Sequence, residues 1–159
     1  MENTVRAQTL EQALAQLDEI CRAPDSELAV AAPGVAAEVL ALGELVLEWW
    51  LRAHDVTPTT GTSEGFRLLA LHRQGAKNDP SFNACRETCR ELVYHYNLIC
   101  LEPAHGDVAR RVRLGAMVAR HLALFIGGKL EVAGLGEFCC SSRTLRERDD
   151  AAPSTAPTF

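Results

Sequence analysis

The hydrophobic and polar positions of this 159-residue chain follow a helical spacing along most of its length. The clearest example runs from Asp79 to Leu101, where Asp79 can cap a helix and Pro80 suits its first position. Apolar residues recur there in steps of three and four, which places them on one stripe of a helix: Phe82, Cys85, Cys89, Leu92, Tyr96 and Ile99. The other side of the same helix carries Arg86, Arg90, Tyr94 and Asn97.

Similar spacings, bounded by capping residues, prolines and glycines, predict further helices. These are a helix between Thr9 and Pro24, a very apolar one from Val35 to His54, one capped by Ser63 that runs through Arg73, and one capped by Asp107 that ends at Gly127-Gly128. No alternating run is long enough to predict a sheet. We therefore predict an all-α fold, a single bundle of about five helices in residues 1–128, followed by a packed extension (129–142) and a disordered tail (143–159).

Charge and hydropathy limit the classes of function. A net charge of −5 argues against a nucleic-acid binder held by bulk charge, but it allows a local basic patch. The most apolar stretch, Val35 to Leu51, is interrupted by Glu38, Glu44 and Glu48, so we expect no membrane span. The first residues are polar and lack the apolar core of a signal peptide. We expect a cytoplasmic protein whose cysteines are reduced thiols.

The cysteines and histidines are candidate metal ligands. Cys85 and Cys89 lie one helical turn apart, Cys100 is on the same helix, and Cys139-Cys140 could return to it. Zinc and iron–sulfur clusters use such ligands. However, Cys85 and Cys89 belong to the apolar stripe, and small buried thiols account for them without a metal. We therefore expect no metal and no cofactor, and the sequence leaves open whether these five of the six cysteines ever change redox state.

The segment Arg90-Glu-Leu-Val-Tyr-His95 places four residues between an arginine and a histidine. Within a helical domain of this size, the segment resembles the motif of HEPN domains. That resemblance implies a small, typically dimeric helical bundle, and many HEPN domains are ribonucleases or toxin partners in prokaryotic defence and toxin–antitoxin systems. It also implies that Arg90 and His95 are a catalytic pair that faces its counterpart across a dimer. The tyrosine of the common HEPN variant would fall at Asn97, whereas this chain has Tyr96.

The chemistry of this pair suits RNA cleavage, because a histidine can exchange protons near neutral pH and an arginine can hold a phosphate. Arg67 and His72 have the same spacing, and Arg110, Arg111 and Arg113 form another candidate phosphate site.

Two functions follow as alternatives. One is a non-catalytic interaction or regulatory protein, and the other is a HEPN-type ribonuclease or toxin component that uses Arg90 and His95. A metal-binding sensor is a third. In the first two cases we expect a homodimer or a protein partner, with RNA as the substrate of the ribonuclease.

Overall fold

A computed structural model describes residues 7–77 and 79–134, which fold into six α-helices and one 3-10 helix. The helices are α1 (Leu10–Arg22), α2 (Asp25–Val30), α3 (Ala32–Ala53), α4 (Arg67–Ala76), the 3-10 helix (Pro80–Cys85), α5 (Arg86–Leu101) and α6 (Val108–Val132). The described residues form no strand, so the prediction of an all-α bundle is confirmed. No helix in this part of the chain has the length and apolar character needed to cross a membrane.

The helix α6 lies at the centre of the bundle and packs against α1, α3 and α5. Small buried residues on α6, among them Gly115, Ala116 and Ala119, allow this close approach. Large side chains fill the remaining space, and Leu42, Leu122 and other fully buried aliphatic residues form one continuous core. Complete burial of one such side chain contributes about 2 kcal/mol relative to exposure, so the core supplies most of the stability.

The predicted end of the last helix is wrong. Instead of stopping at Gly127-Gly128, α6 continues to Val132. A side chain at Gly127 would come within 2.6 Å of Leu10 Cδ2, so this glycine allows α1 to approach α6 rather than ending the helix. The first residues of the predicted extension (129–142) are therefore helical. Residues 135–142 and the predicted tail (143–159) lie outside the described residues.

The predicted helix starts are correct at two places. The Thr9 hydroxyl accepts a hydrogen bond from the Gln12 backbone N–H at 3.1 Å and begins α1. The Asp79 carboxylate accepts one from the Ser81 N–H at 3.2 Å. Asp79, however, begins the 3-10 helix, and the α-helical hydrogen bonding of α5 starts only at Arg86. Asp107 occupies the cap position of α6 without capping it through its side chain.

The predicted cap of the third helix is wrong, because α4 begins at Arg67 and not after Ser63. Ser63 and Phe66 instead exchange two backbone hydrogen bonds of 3.0 Å each across a tight turn. The turn residues Glu64 and Gly65 both have positive φ, 56° and 85°, the pattern of a type I′ turn. The short α2 helix was also absent from the prediction, since it has only 6 residues.

Candidate functional site: an arginine-lined pocket

A cavity of ≈ 410 Å³ opens between the Ser63–Phe66 turn, α4 and the first turns of α5. Four cationic residues line it: Arg73, Lys77, Arg86 and Arg90. Glu64 is the one carboxylate in the lining, so three positive charges are in excess. We call this cavity the arginine pocket. Its positive charge contrasts with the net charge of −5 of the whole chain.

The loop before α4 is held in place by side chains of α4. Gln74 donates to the Thr57 carbonyl at 2.8 Å and accepts from the Thr59 N–H at 2.9 Å. The Nε of Arg67 donates to the Thr59 carbonyl at 2.8 Å. These bonds fix the loop, and the turn that follows it then directs Glu64 towards α5. Gly65 suits its turn position because a residue without a side chain adopts positive φ at no steric cost.

Glu64 and Arg90 form a two-pronged ion pair across the pocket. The two terminal guanidinium nitrogens, Nη1 and Nη2, each donate to the carboxylate at 3.1 Å. These hydrogen bonds and the charge of Arg90 hold the pKa of Glu64 below its usual range, and the charges of Arg73 and Arg86 act in the same direction. Glu64 is therefore ionised at neutral pH. Because both side chains are exposed, the pair is easily rearranged and adds little to stability.

The other cations of the arginine pocket are less engaged. Arg73 donates to the Ser63 hydroxyl at 3.3 Å. Arg86 and Lys77 form no ion pair with any of the described residues, and both side chains are exposed. Guanidinium groups bind phosphate and carboxylate groups through paired hydrogen bonds. The pocket can therefore hold an anion with several negatively charged oxygens.

A cluster of buried side chains forms the inner wall. His72 is only 5% exposed, and its Nε2 donates to the Phe82 carbonyl at 3.0 Å. The rings of His72 and Phe82 stack at 5.3 Å, and Phe82 stacks in turn on Trp50. The Cys85 thiol also donates to the Phe82 carbonyl, at 3.3 Å. His72 therefore borders the pocket as part of the core rather than as an accessible catalytic base.

Cys85 and Cys89 are buried, as the helical spacing predicts. A hydrogen bond from Cys89 and the neighbouring His72 together lower the pKa of Cys85 to about 6, although burial acts in the opposite direction. The same hydrogen bond, together with burial, raises the pKa of Cys89. Cys100 is exposed at the far end of α5, and Cys139 and Cys140 lie outside the described residues. Across the described ranges, no group of three His, Cys, Asp or Glu side chains is arranged to hold a metal.

His95 lies elsewhere, in the interface of α5 with α3 and α6. It is 9% exposed, and its Nδ1 is buried without a hydrogen-bond partner among the described residues. The cavity beside it measures only ≈ 10 Å³ and is lined mainly by apolar residues, including Val39 and Ile99. The Nε2 atom is 4.0 Å from the Glu91 carboxylate. Burial lowers the pKa of His95, and the nearby charge of Glu91 offsets this lowering only in part. The imidazole is therefore neutral at pH 7.

The two predicted catalytic residues therefore do not share a cavity within the described chain. Arg90 lines the arginine pocket, whereas His95 borders the small apolar cavity. The second pair of this spacing is separated as well. Arg67 binds Glu44 and Glu48 of α3, whereas His72 stacks in the core.

The arginines at the start of α6 mostly serve the fold. Arg111 donates to Glu102 at 2.9 Å. Arg113 donates to the carbonyls of Cys21 and Ala23 at 3.1 and 3.0 Å, and to the Asp25 carboxylate at 2.7 Å. These contacts tie the end of α1 to α6, and they leave Arg110 as the exposed member of the predicted phosphate site.

The arginine pocket was not predicted from the sequence, although part of its signal was visible. Arg86 and Arg90 lie one turn apart on the polar side of α5, and Arg73 and Lys77 have the same spacing around α4. The packing of α4 against α5 brings these two pairs together. No protein-family model matches the chain, and comparisons with curated proteins and with solved structures found no similar protein. The resemblance to HEPN domains therefore rests on residues 90–95 and the helical fold.

Proposed function

We propose that this protein is a non-catalytic interaction or regulatory protein of the cytoplasm that binds an anionic ligand or partner in the arginine pocket. The observation that carries this proposal is the concentration of four cations around one cavity of a chain with a net charge of −5. Two of these cations, Arg86 and Lys77, have no ion-pair partner among the described residues. They are available to a ligand without the loss of an internal contact.

The chemistry of the lining supports binding rather than catalysis. Arginine and lysine side chains remain protonated at neutral pH, so they hold anions but exchange protons poorly. The histidine of the lining, His72, is buried and donates its Nε2 hydrogen to the Phe82 carbonyl. A ligand in the pocket would therefore meet charge and hydrogen-bond donors, and it would leave unchanged.

The test is a binding panel with three anionic probes: tripolyphosphate, a glutamate dodecapeptide and a dodecameric RNA. Calorimetry would compare the wild type with the double variant Arg73→Ala/Arg86→Ala, and with Arg110→Ala as a matched control from the exposed surface of α6. We expect at least one probe to bind the wild type and the control with equal affinity. The same probe should bind the double variant about 100-fold more weakly. It should also be recovered chemically intact after binding. If no probe binds, or if Arg110→Ala weakens binding as strongly as the double variant, the proposal is wrong.

A second candidate is the HEPN-type ribonuclease or toxin component, with Arg90 and His95 as its catalytic pair. The position of Arg90 in a cationic cavity favours it, because RNA phosphates would be drawn there. Since His95 of the same chain borders a different cavity, this function requires a second subunit to complete the site. We propose a homodimer or a protein partner in that role. The exposed apolar side chains of Leu101, Met117 and Leu124 support a further contact of this kind.

The ribonuclease is tested by RNA cleavage with the wild type, Arg90→Ala and His95→Ala, with light scattering on the same samples to measure the oligomeric state. Cleavage by a wild-type dimer and its loss in both folded variants would support the ribonuclease. Intact RNA, or equal cleavage by the variants, would contradict it. His95→Gln serves as a second variant, because it retains a polar side chain if the alanine substitution unfolds the buried site.

A further inference from the structure

We infer that the arginine pocket binds the polyphosphate group of a small molecule. It recognises the charge of this group and makes no specific contact with a base attached to it. This inference rests on the proposed function and names the ligand class of the same site. Three arginines and a lysine surround a cavity of ≈ 410 Å³, the size of a small-molecule site. A single phosphate carries at most about two negative charges at neutral pH, whereas the lining of the pocket has three positive charges in excess. A ligand with several anionic groups therefore matches the charge of the pocket better than one phosphate does.

The lining favours a compact anion over a nucleobase or a nucleic-acid strand. Leu69 and Ala76 supply most of the apolar lining, and the ring of His72 is stacked against Phe82. Proteins that bind single-stranded nucleic acid hold successive bases on exposed aromatic rings. Among the described residues the arginine pocket offers no such ring, so an attached base would gain little there.

A neighbouring hollow extends the site along the loop before α4. It shares Ser63, Arg73 and Lys77 with the arginine pocket, and it adds the hydroxyl groups of Thr59 and Thr62. Hydroxyl groups can donate to phosphate oxygens without adding charge. The neighbouring hollow therefore offers a linear polyphosphate further hydrogen-bond donors beyond Arg73 and Lys77.

Glu64 makes the pocket selective for ligands of high charge. Its carboxylate already accepts one hydrogen bond each from Nη1 and Nη2 of Arg90, both at 3.1 Å. Glu64 repels every anion and competes with it for Arg90. A polyphosphate also interacts with Arg73, Arg86 and Lys77, and these attractions grow with the charge of the ligand, whereas a singly charged anion has less attraction to offset the loss of the Glu64–Arg90 pair. Replacement of Glu64 by glutamine keeps the size of the side chain and removes this internal competitor.

Calorimetry with the full chain tests the inference, with tripolyphosphate, ATP and orthophosphate as probes. We expect tripolyphosphate to bind more than about tenfold tighter than orthophosphate, and ATP to bind within about threefold of tripolyphosphate. Arg73→Ala and Arg86→Ala should each weaken tripolyphosphate binding about tenfold, Glu64→Gln should tighten it about threefold, and Arg110→Ala should leave it unchanged. Circular dichroism would verify that each variant is folded.

Several outcomes would overturn the inference. Absence of tripolyphosphate binding at about 1 mM would do so, as would equal affinity for orthophosphate. An ATP affinity far above that of tripolyphosphate would show that the base is recognised. If the glutamate peptide or the RNA binds in the arginine pocket while tripolyphosphate does not, the ligand class is wrong but the proposed binding function stands. If none of the probes binds, both fail.

Discussion

The arginines of α6 and those of the arginine pocket have the same side chain in different surroundings. Arg113 of α6 donates to two carbonyls and one carboxylate, all of them at the end of α1 or just beyond it. Arg86 of α5 has no ion-pair partner among the described residues. The first arrangement satisfies the guanidinium group internally, whereas the second leaves it for a ligand. The partners of an arginine, rather than its place in a cluster along the sequence, indicate whether it serves the fold or a site.

The largest effect should come from Arg113→Ala. The substitution removes the donor for the carbonyls of Cys21 and Ala23 and leaves Asp25 without its partner. Hydrogen bonds to charged groups of this kind are worth about 2 kcal/mol, so the free energy of unfolding should fall by about that amount. Urea denaturation measures it. Binding of tripolyphosphate to the folded variant should equal that of the wild type.

Arg86→Ala is the matched control in the arginine pocket. Its side chain is exposed and has no ion pair within the described residues, so the free energy of unfolding should change by less than about 0.5 kcal/mol. A destabilisation as large as that of Arg113→Ala would contradict the distinction between the two groups of arginines. So would an Arg113→Ala variant as stable as the wild type.

A second contrast lies on α5, where Arg90 is exposed and His95 is buried. Burial lowers the pKa of His95 below its unfolded value of about 6.5. Below that value the folded protein binds fewer protons than the unfolded chain. The contribution of neutral His95 to the free energy of unfolding is therefore present above about pH 6.5 and is lost as the pH falls through the pKa of His95 in the folded protein. His72 acts in the opposite direction: burial lowers its pKa, but hydrogen bonds to Cys85 and the Phe82 carbonyl raise it overall.

His95→Phe should remove the acid sensitivity that comes from this histidine. We expect the variant to lose less stability than the wild type between about pH 7 and about pH 5.5, where most carboxylates remain ionised. Urea denaturation at a series of pH values measures the difference, and Arg90→Ala, on the other side of α5, is the control. An equal loss in wild type and His95→Phe would show that protonation of His95 does not limit stability.

The sequence predicted features that depend on one helix and missed features that depend on two. The burial of Cys85 and Cys89 followed from their helical spacing in the segment that begins at Asp79, and so did the outward position of Arg86 and Arg90. The end of α6 was predicted wrongly because Gly127 is needed for the close contact with Leu10 of α1. The sequence around Gly127 contains no information about that contact. The arginine pocket was missed for the same reason. It requires the packing of α4 on α5, and the turn that places Glu64 opposite Arg90.

Among the paired arginines of α6, a much smaller effect than that of Arg113→Ala should come from Arg120→Ala, which tests whether these arginines stabilise the fold equally. Arg120 donates to Asp18 of α1 at 2.9 Å, but both side chains are substantially exposed, 45% and 37%. Water and salt screen such a pair, so we expect a loss of only about 0.5 kcal/mol at low ionic strength and none that is measurable at about 1 M NaCl. A double-mutant cycle with Asp18→Asn isolates the pairwise interaction from other effects of each substitution. A coupling energy as large as the loss in Arg113→Ala would mean that an exposed ion pair adds as much to the packing of α6 on α1 as Arg113 does. A small coupling energy would indicate that the larger contribution of Arg113 comes from its hydrogen bonds to the carbonyls of Cys21 and Ala23.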